Sequence, residues 1–331
     1  MKTKQSKKFK ILFFGLGSIG KKHAKILTEH FNVDLYAYRT KKGKETHDLP
    51  IQEFTVLDEA FSIQPDFAFI TNPTYLHVPT AIECAQRNIA LFIEKPLSHS
   101  LDRVSELERE IQKRKLFTYI AYNMRFHPIV QYLKSFIPTG EQPIYFRVIC
   151  SSYLPQWRSA QHYENSYSAK TDLGGGVTLD LSHEFDYIAW LFGELQHITG
   201  YCGKLGNLKI SSEDLTEAQI TCASNIRGSL HLDYFSLFNE RKIQIYYNTK
   251  YIEGDLIQNT ITTIENNKKP QTKKFKNIEN STYTKQLHYF FEQYNEKNLH
   301  HMNNFSEALK TFKKIIEFKN TYCTIQRGQT T

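Results

Sequence analysis

Residues 9–30 read FKILFFGLGSIGKKHAKILTEH, and the order of residue types in this stretch predicts how the chain begins to fold. An apolar run from Phe9 to Phe14 is followed by a glycine-rich turn and by a helical pattern from about Ser18 to Glu29. A buried strand, a glycine turn and a helix, in this order, open the doubly wound α/β folds. We therefore expect a parallel sheet covered by helices at the start of the chain.

The chain as a whole divides into two patterns. Strand-like and helix-like segments alternate up to about residue 125, which predicts that residues 1–125 form a Rossmann domain with a doubly wound parallel sheet. Beyond that point β-rich runs predominate, interrupted by one predicted helix from about Leu179 to Phe192. Residues 126–331 are therefore expected to form an α+β domain with a large, mostly antiparallel open sheet.

The charge of the chain is moderately basic. Its 331 residues include 42 Lys and Arg against 34 Asp and Glu, a formal net charge of +8. Two lysine clusters, within residues 2–10 and 268–276, hold part of the excess, but neither is interleaved with aromatic residues or lies on a reading helix. We interpret them as solvated surface charge, with weak attraction of anionic ligands as the alternative, and expect no nucleic-acid partner.

The cysteines and the apolar runs bear on the compartment. Five cysteines are scattered without the spacing of a zinc site, and their number is odd. This predicts a reducing compartment, no disulfide framework and no metal. No stretch approaches the roughly 20 apolar residues that a membrane-spanning helix requires. We expect a soluble, cytoplasmic protein with no membrane partner.

The glycine turn predicts a dinucleotide site. In such a site Gly15 makes the tight turn, Gly17 lets the backbone approach the pyrophosphate, and Gly20 allows the helix and strand to pack closely. Ser18 and Ile19 begin the helix, whose N-terminal amides attract phosphate charge. An incidental glycine turn is the alternative, although the position between a strand and a helix is the context that the motif requires.

Two further loops at the expected carboxyl edge of the sheet are candidates for cofactor contact. Arg39 follows the second strand, where an NAD site usually carries an acid; an arginine there suits the 2′-phosphate of NADP, so NADP(H) is favoured and NAD(H) is the alternative. A solvated loop charge would also explain it. Asn72, Pro73, Thr74 and His77 follow a later strand and are expected to line the ribose and nicotinamide side, although His77 alone is more typical of a packed or capping residue.

The fifth strand ends in Glu94 and Lys95, and both residues are expected to contact the cofactor at the same edge. The position of Lys95 also predicts that this lysine is functional. In a partly dry cleft beside a cofactor, a lysine hydrogen-bonds a substrate hydroxyl and stabilises charge as the alcohol loses its proton. The alternative is a strand-end lysine that points into solvent.

The second candidate group follows a run of three glycines, on the helix predicted from Leu179. At helical spacing, four polar residues share one face and four apolar residues share another: Asp180, His183, Glu184 and Tyr187, and Leu181, Phe185, Ile188 and Phe192. An aspartate and a histidine on adjacent turns provide a base with an orienting acid, as hydride transfer from an alcohol requires. An amphipathic helix with an ordinary solvent face is the alternative.

These motifs together resemble the Gfo/Idh/MocA family, which includes glucose-fructose oxidoreductase and inositol dehydrogenases. The resemblance covers nearly the whole chain and rests on GLGSIG at 15–20, FIEKPLS at 92–98, YNMRFHP at 122–128 and the glycine-led stretch that ends in DLSHEFDYIAWLFG. It implies a Rossmann domain, then an α/β domain whose open sheet faces the cofactor, and a homodimer or homotetramer.

The resemblance also implies roles for individual residues. Lys95 corresponds to the catalytic lysine of the EKP motif, His183 to the acid/base histidine, and Asp180 to a nearby substrate-contacting aspartate. Only two residues separate Asp180 from His183, whereas many members have three, so the assignment of Asp180 departs from the family pattern. Three residues match a segment that lines the substrate pocket: Tyr122, Asn123 and Arg125.

The implied activity is NAD(P)-dependent hydride transfer at a carbinol carbon of a sugar or sugar derivative. The segment YLPQWRSAQHYENSYSAKTDLGGG is similar to members associated with surface-polysaccharide and nonulosonic-acid biosynthesis, which favours a nucleotide-linked or acidic sugar met by Arg158, Tyr163 and Lys170. One alternative uses tightly bound NAD transiently, for elimination, epimerisation or glycoside cleavage without net redox change. The other is a non-catalytic nucleotide-binding regulatory protein.

Overall fold

The structure is a computed structural model and describes residues 8–40, 48–138, 140–157, 162–276 and 280–324. The chain forms two compact units. The first unit comprises the residues up to Ala121 together with Tyr283–Glu307, and the second comprises Tyr122–Thr282 and the residues from Ala308 onward. The segment Tyr283–Glu307 lies outside the range of 1–125 predicted for the N-terminal domain.

The first unit is built from alternating strands and helices. In chain order, the elements up to Ala121 are β1 (Phe9–Phe14), α1 (Ser18–His30), β2 (Val33–Tyr38), β3 (Ile51–Phe54), α2 (Leu57–Ser62), β4 (Phe67–Ile70), α3 (His77–Gln86), β5 (Ala90–Ile93), α4 (Val104–Arg114) and β6 (Thr118–Ile120). Within the described residues the strands form one parallel sheet in the order β3-β2-β1-β4-β5-β6. The order reverses between β1 and β4, and ligands of such sheets bind in the crevice at the carboxyl ends of the strands on either side of that reversal. The predicted doubly wound fold is confirmed.

The remaining elements follow Ala121. They are α5 (Pro128–Phe136), β7 (Tyr145–Tyr153), α6 (Val177–Asp180), α7 (Ser182–Phe192), β8 (Leu195–Gly203), β9 (Leu215–Cys222), β10 (Arg227–Asp233), β11 (Phe235–Tyr246), β12 (Lys250–Asp255), β13 (Thr260–Glu265), β14 (Gln271–Lys274), α8 (Ser281–Asn295), α9 (Phe305–Tyr322) and β15 (Cys323–Thr324).

Helix α8 explains why residues far along the chain belong to the first unit. Phe290 on α8 lies 5.0 Å from Phe67, 5.6 Å from Phe69 and 5.4 Å from Phe92, measured between ring centroids. These three rings lie on β4 and β5 and are fully buried. Burial of such large apolar surfaces is the main term that stabilises a fold, so α8 completes the core of the parallel sheet.

The second unit contains the large sheet. Its described strands follow the order β14-β13-β12-β11-β7-β10-β9-β8-β15, with parallel pairing between β7 and β10 and between β8 and β15 and antiparallel pairing elsewhere. Phe192 on α7 stacks on Phe146 of β7 with ring centroids 4.5 Å apart, which places this helix on one face of the sheet. The predicted, mostly antiparallel sheet is confirmed.

Two details of the second unit correct the sequence analysis. The single helix expected from Leu179 to Phe192 is two helices, because the chain leaves helical geometry at Leu181, where φ is −97° and ψ is 30°. The polar face assigned to that helix is also not a solvent face. Asp180, Glu184 and Tyr187 are buried. Asp180 meets Tyr234 and Glu184 meets Arg241, partners distant in the chain that helical spacing does not reveal.

The expectation of no disulfide is wrong in this structure, which pairs Cys202 with Cys323. The two residues are register partners on β8 and β15, with a Cα–Cα distance of 4.3 Å. They are 121 residues apart in the chain, so cysteine spacing carried no sign of the pair. In the part of the chain that the structure describes, no helix has the length and apolar character needed to span a membrane.

Candidate functional site

The glycine turn between β1 and α1 has the geometry of a phosphate cradle. Gly15 has φ +97°, and a Cβ atom there would lie 2.8 Å from the Cα of Asn72. A Cβ at Gly20 would lie 2.6 Å from the carbonyl oxygen of Gly15, which explains why helix and strand approach so closely. At Gly17, by contrast, a Cβ would meet no described atom within 4 Å. The turn is closed against β4 and open on the side where a pyrophosphate would approach.

The N-terminus of α1 adds favourable electrostatics. Gly17 is the N-cap, and among the described residues no side chain caps this end of the helix or places a carboxylate in its first turn. Gly17 and Ser18 are exposed and Ile19 is half-buried. Uncapped amide groups at a helix N-terminus bind anions, and the aligned helix dipole favours negative charge there. The residues therefore fit a dinucleotide cofactor, whose phosphates the backbone from Gly17 to Gly20 would hold.

Arg39 lies at the carboxyl end of β2, as predicted, but its guanidinium is already engaged. Its Nη1 donates to Glu53 Oε1 at 2.8 Å, and only 12% of the arginine side chain is exposed. Glu53 lies on the neighbouring strand β3 and was not identified from the sequence. The pair places one cation and one anion at the position that distinguishes NADP from NAD.

The loop after β4 has structural contacts of its own. The amide of Asn72 donates to Thr80 Oγ1 at 2.9 Å, Pro73 is exposed and Thr74 is buried. His77 is buried, with Nδ1 2.9 Å from the carbonyl oxygen of Pro96 and Nε2 3.0 Å from that of Asn72. Burial lowers the pKa of His77. Because both ring nitrogens face backbone oxygens, the geometry favours packing over cofactor contact for this histidine.

Lys95 follows β5, and the strand end that carries it is held by a buried pair. The backbone N–H of Glu94 donates to the carbonyl oxygen of Ile70, and the backbone N–H of Lys95 donates to Glu94 Oε2 at 3.1 Å. The other carboxylate oxygen, Oε1, lies 2.6 Å from Nε2 of His23. The Lys95–Pro96 peptide bond is cis. Lys95 itself is half-buried.

His23 was missed in the sequence analysis, although a signal was present. It occupies the buried stripe of α1 with Gly20, Ala24 and Leu27, at positions where an apolar residue is expected. A polar side chain within an apolar helical stripe requires a buried partner. The sequence thus indicated that a partner exists, but it contained no indication that the partner is Glu94.

Asp180 and His183 lie in the second unit, on either side of the break between α6 and α7. Asp180 accepts a hydrogen bond of 2.5 Å from the hydroxyl of Tyr234, which the sequence analysis missed. Burial, and then the neighbouring Asp180, raise the pKa of Tyr234. The ring of Tyr122 packs edge-on against His183, 5.7 Å between centroids, and burial raises the pKa of Tyr122. Nδ1 of His183 is buried, and the residue as a whole is half-buried.

The other residues predicted to meet substrate have varied surroundings. Arg125 makes a buried bidentate ion pair with Asp186, in which Nε donates to Oδ2 at 2.8 Å and Nη2 donates to Oδ1 at 2.7 Å. These donors and acceptors therefore have a structural role. The buried amide of Asn123 donates to Thr282 Oγ1 at 2.9 Å. Arg158 lies outside the described residues.

Two further predicted residues precede the glycine run. Tyr163 and Lys170 are half-buried. The hydroxyl of Tyr163 accepts a hydrogen bond from the backbone N–H of Lys209, and the carbonyl oxygen of Lys170 accepts one from Gly175. The backbone of Lys170 is therefore hydrogen-bonded to the glycine run before α6.

A third polar group gathers beneath the glycine run. Sulfur atoms of Cys202 and Cys323 and a carboxylate oxygen of the buried Glu213 lie within 4.8 Å of one another. The sulfurs are bonded to each other and Lys319 pairs with the carboxylate. These potential metal ligands are therefore already bonded to other groups of the protein, and we assign the cluster a structural role.

Comparison with known proteins identifies the class and then the family. Residues 9–122 match a family model described as an oxidoreductase family with an NAD-binding Rossmann fold, and residues 141–253 match the model of the GFO/IDH/MocA C-terminal domain. The first unit thus has an NAD-binding Rossmann fold. The chain belongs to the Gfo/Idh/MocA family.

Individual relatives are distant. The uncharacterized oxidoreductase YrbE of Bacillus subtilis is 27% identical over 186 residues, which are 54% of this chain and 52% of that protein. The chain spans about half the length of the curated relatives it matches.

Solved structures match over nearly the full length. UDP-N-acetylglucosamine 3-dehydrogenase GnnA from Acidithiobacillus ferrooxidans has a TM-score of 0.78 at 16% identity, covering 96% of this chain and 98% of its own. The WlbA dehydrogenase from Chromobacterium violaceum, solved with NADH and UDP-GlcNAcA, has a TM-score of 0.78 at 18% identity, covering 96% and 94%. At these identities the likeness shows a shared fold.

Proposed function

We propose that this protein is an NAD(P)-dependent oxidoreductase that transfers a hydride between the nicotinamide and a carbinol carbon of a sugar derivative. The observation that carries the proposal lies in the first unit. Lys95 follows β5 in a sheet whose order runs β1-β4-β5, at the same carboxyl edge as the open glycine turn. A half-buried lysine at this edge suits a group that contacts the reacting oxygen.

In the proposed mechanism the chain supplies orientation and a proton carrier. Lys95 donates a hydrogen bond to the reacting hydroxyl oxygen and stabilises the negative charge that develops there. Nε2 of His183 accepts the hydroxyl proton as the hydride leaves the carbon, and returns it in the reverse direction. Asp180, held by Tyr234, orients the substrate or the histidine. When bound, the nicotinamide supplies the hydride acceptor or donor.

The test is steady-state turnover of Lys95→Ala and His183→Asn, followed at 340 nm. Each variant is expected to lower kcat by about 10² to 10⁴, the usual contribution of a positioned acid or base. Lys113→Ala, at an exposed lysine of α4 in the same unit, is the matched control and should keep the parent rate. Parent activity in Lys95→Ala would remove the lysine from the mechanism.

The same assay distinguishes net hydride transfer from the alternative in which tightly bound NAD is used transiently, without net redox change. Turnover at constant absorbance near 340 nm, with stoichiometric cofactor retained through purification, would replace net oxidation by transient oxidation. If the protein shows neither net oxidation nor transient oxidation of substrate but still binds nucleotide, it is a non-catalytic nucleotide-binding regulatory protein.

For the cofactor, we propose a preference for NADP(H), with Arg39 as the residue that contacts the 2′-phosphate. Binding would require the guanidinium to share or release Glu53, so the two residues should be varied in parallel. In titrations that compare NADPH with NADH, Arg39→Asp is expected to weaken the binding of NADPH selectively. Glu53→Gln is expected to strengthen the binding of NADPH. Unchanged NADPH affinity in Arg39→Asp would assign Arg39 to structure alone.

For the substrate, we propose a nucleotide-linked or acidic sugar, as in surface-polysaccharide biosynthesis, with Tyr163 and Lys170 near its charged part. Two proteins of the same fold support this class: the UDP-N-acetylglucosamine 3-dehydrogenase GnnA, and the WlbA dehydrogenase solved with NADH and UDP-GlcNAcA. A panel of UDP-N-acetylglucosamine, its uronic acid and inositol tests it, with Lys170→Gln as the variant. Turnover of inositol in preference to both nucleotide sugars would overturn the assignment.

We also propose a homodimer or homotetramer, on the basis of the family resemblance, and a cytoplasmic location, on the basis of the cysteine spacing and the short apolar runs of the sequence. Light scattering on the purified protein and fractionation of the source cells measure them directly.

A further inference from the structure

We propose that His23 is a positioning residue for Lys95, acting through Glu94. The inference rests on the proposed role of Lys95 and adds a residue that neither the motifs nor the comparisons assign. It connects the helix of the glycine turn to the strand end that carries the lysine.

The contact between His23 and Glu94 is short and dry. The distance between Nε2 and Oε1 is 2.6 Å, and the exposed fractions of the two side chains are 0% and 9%. An ionised carboxylate only accepts hydrogen bonds, so Nε2 of His23 carries the hydrogen and donates. A charge-assisted hydrogen bond in such surroundings is stronger than a neutral one, and losing one partner leaves a buried carboxylate undersatisfied.

The second oxygen of Glu94 transmits this constraint to Lys95. Oε2 accepts the backbone N–H of Lys95, so one carboxylate holds both the imidazole and the lysine backbone. The backbone N–H of Glu94 is itself fixed on Ile70 in β4. The lysine therefore leaves the sheet from a backbone that is held on two sides.

The histidine ring has little freedom to release the carboxylate. It packs edge-on against Phe92 and Phe69, with centroids 5.1 and 6.2 Å away, and against Tyr283 at 5.7 Å. Its other nitrogen, Nδ1, is buried and has no hydrogen-bond partner in the described part of the chain. A ring flip would place an N–H against aromatic carbon and leave Glu94 without a donor, so the packing selects Nε2 as the donor.

This arrangement has a functional consequence. A displacement of about 1 Å at a catalytic group can lower the rate about 10²-fold. His23 lies on α1, the helix that begins at the glycine turn. Its contact with Glu94 therefore fixes the backbone of Lys95 relative to the helix proposed to hold the cofactor phosphates. Removing the contact should therefore lower kcat more than it weakens cofactor binding.

The experiment compares three substitutions at position 23 in the full-length enzyme. Glutamine carries an N–H the same number of bonds from Cα as Nε2 of histidine, whereas asparagine carries it at the shorter reach of Nδ1, and leucine has none. We expect His23→Asn and His23→Leu to lower kcat about 10- to 100-fold and His23→Gln to retain most of it. The Kd for NADPH or NADH, measured by nicotinamide fluorescence, should change by less than about threefold in all three.

The controls separate positioning from folding and from the proposed function. His30→Leu, at an exposed histidine of the same helix, should keep the parent kcat and Kd. Thermal melts identify any variant that fails to fold, and the comparison of the two amides holds even if His23→Leu does not fold. Equal kcat in the asparagine and glutamine variants would overturn the inference while a dead Lys95→Ala leaves the proposed function intact. Full activity in Lys95→Ala would overturn both.

Discussion

The first unit buries aromatic rings on neighbouring strands, whereas the second unit buries ion pairs between elements that are distant in the chain. In the first, Phe69 of β4 stacks on Phe92 of β5 with centroids 4.3 Å apart, and Phe290 packs edge-on against both. In the second, Arg125 pairs with Asp186, and Arg241 on β11 reaches the fully buried Glu184. The two interiors therefore respond to different kinds of substitution.

Histidines show the same contrast. Burial lowers the pKa of His77 in the first unit, so the neutral form is favoured there. In the second unit His231 lies between Asp233 and Glu217, and hydrogen bonds to these carboxylates, Asp233 first, raise its pKa. The first unit excludes charge from its core unless a partner is provided, as for Glu94, while the second uses charge to join its elements.

The largest expected effect comes from breaking one ion pair of the second unit. Asp186→Leu leaves the guanidinium of Arg125 buried without a carboxylate and should lower the free energy of unfolding by about 3 to 5 kcal/mol. The double variant Arg125→Met/Asp186→Leu should recover most of that loss, because apolar side chains of similar volume need no counter-charge. Urea denaturation measures both, and a double variant as unstable as the single one would contradict the charge argument.

A smaller effect is expected in the core of the first unit. Phe290→Leu keeps an apolar side chain against the strand phenylalanines and should lower the free energy of unfolding by about 1 to 2 kcal/mol. The same urea denaturation measures it. Tyr132→Leu, at an aromatic residue of α5 outside this core, is the control. A loss as large as that of Asp186→Leu would show that the aromatic stack is as specific as the ion pair.

The smallest expected effect is the pH dependence that His231 contributes. Its folded-state pKa is raised above the ordinary value of 6.5, so the imidazolium is favoured in the folded protein. The stabilisation is fully present below pH 6.5 and is lost as pH rises through the folded-state pKa. Thermal melts of the parent and of His231→Gln should therefore converge as pH rises. A constant difference across the pH series would assign the effect to packing.

Much of the first unit could be predicted from the sequence, because its information is local. The strand from Phe9 to Phe14 is matched residue for residue by β1, and the glycine turn has the cramped and open positions that its spacing indicates. Short-range patterns of this kind report which face is buried and where the backbone turns. The short strand β3, Ile51–Phe54, could not be located from the sequence, because its four half-buried and exposed residues show neither an apolar run nor a clean alternation.

The second unit was harder to predict at its site. Helical spacing placed Asp180 and His183 on one face of one helix, but the chain breaks at Leu181 and Asp180 pairs with Tyr234, 54 residues away. Spacing within a segment contains no information on a partner so distant. The family resemblance identified the residues, and their roles at one substrate stay a prediction.

By itself, the sequence determined most of the alternating strands and helices up to Ala121, the position of the glycine turn and the lysine at the end of β5. These follow from residue type and short spacing, which act on the backbone directly. Only the tertiary structure decided that His23 meets Glu94, that Arg39 meets Glu53, and that Arg125 is committed to Asp186. A polar residue at a position expected to be buried indicates that a hydrogen-bond partner is required. Which residue is that partner depends on the fold, because the two residues are far apart in the sequence.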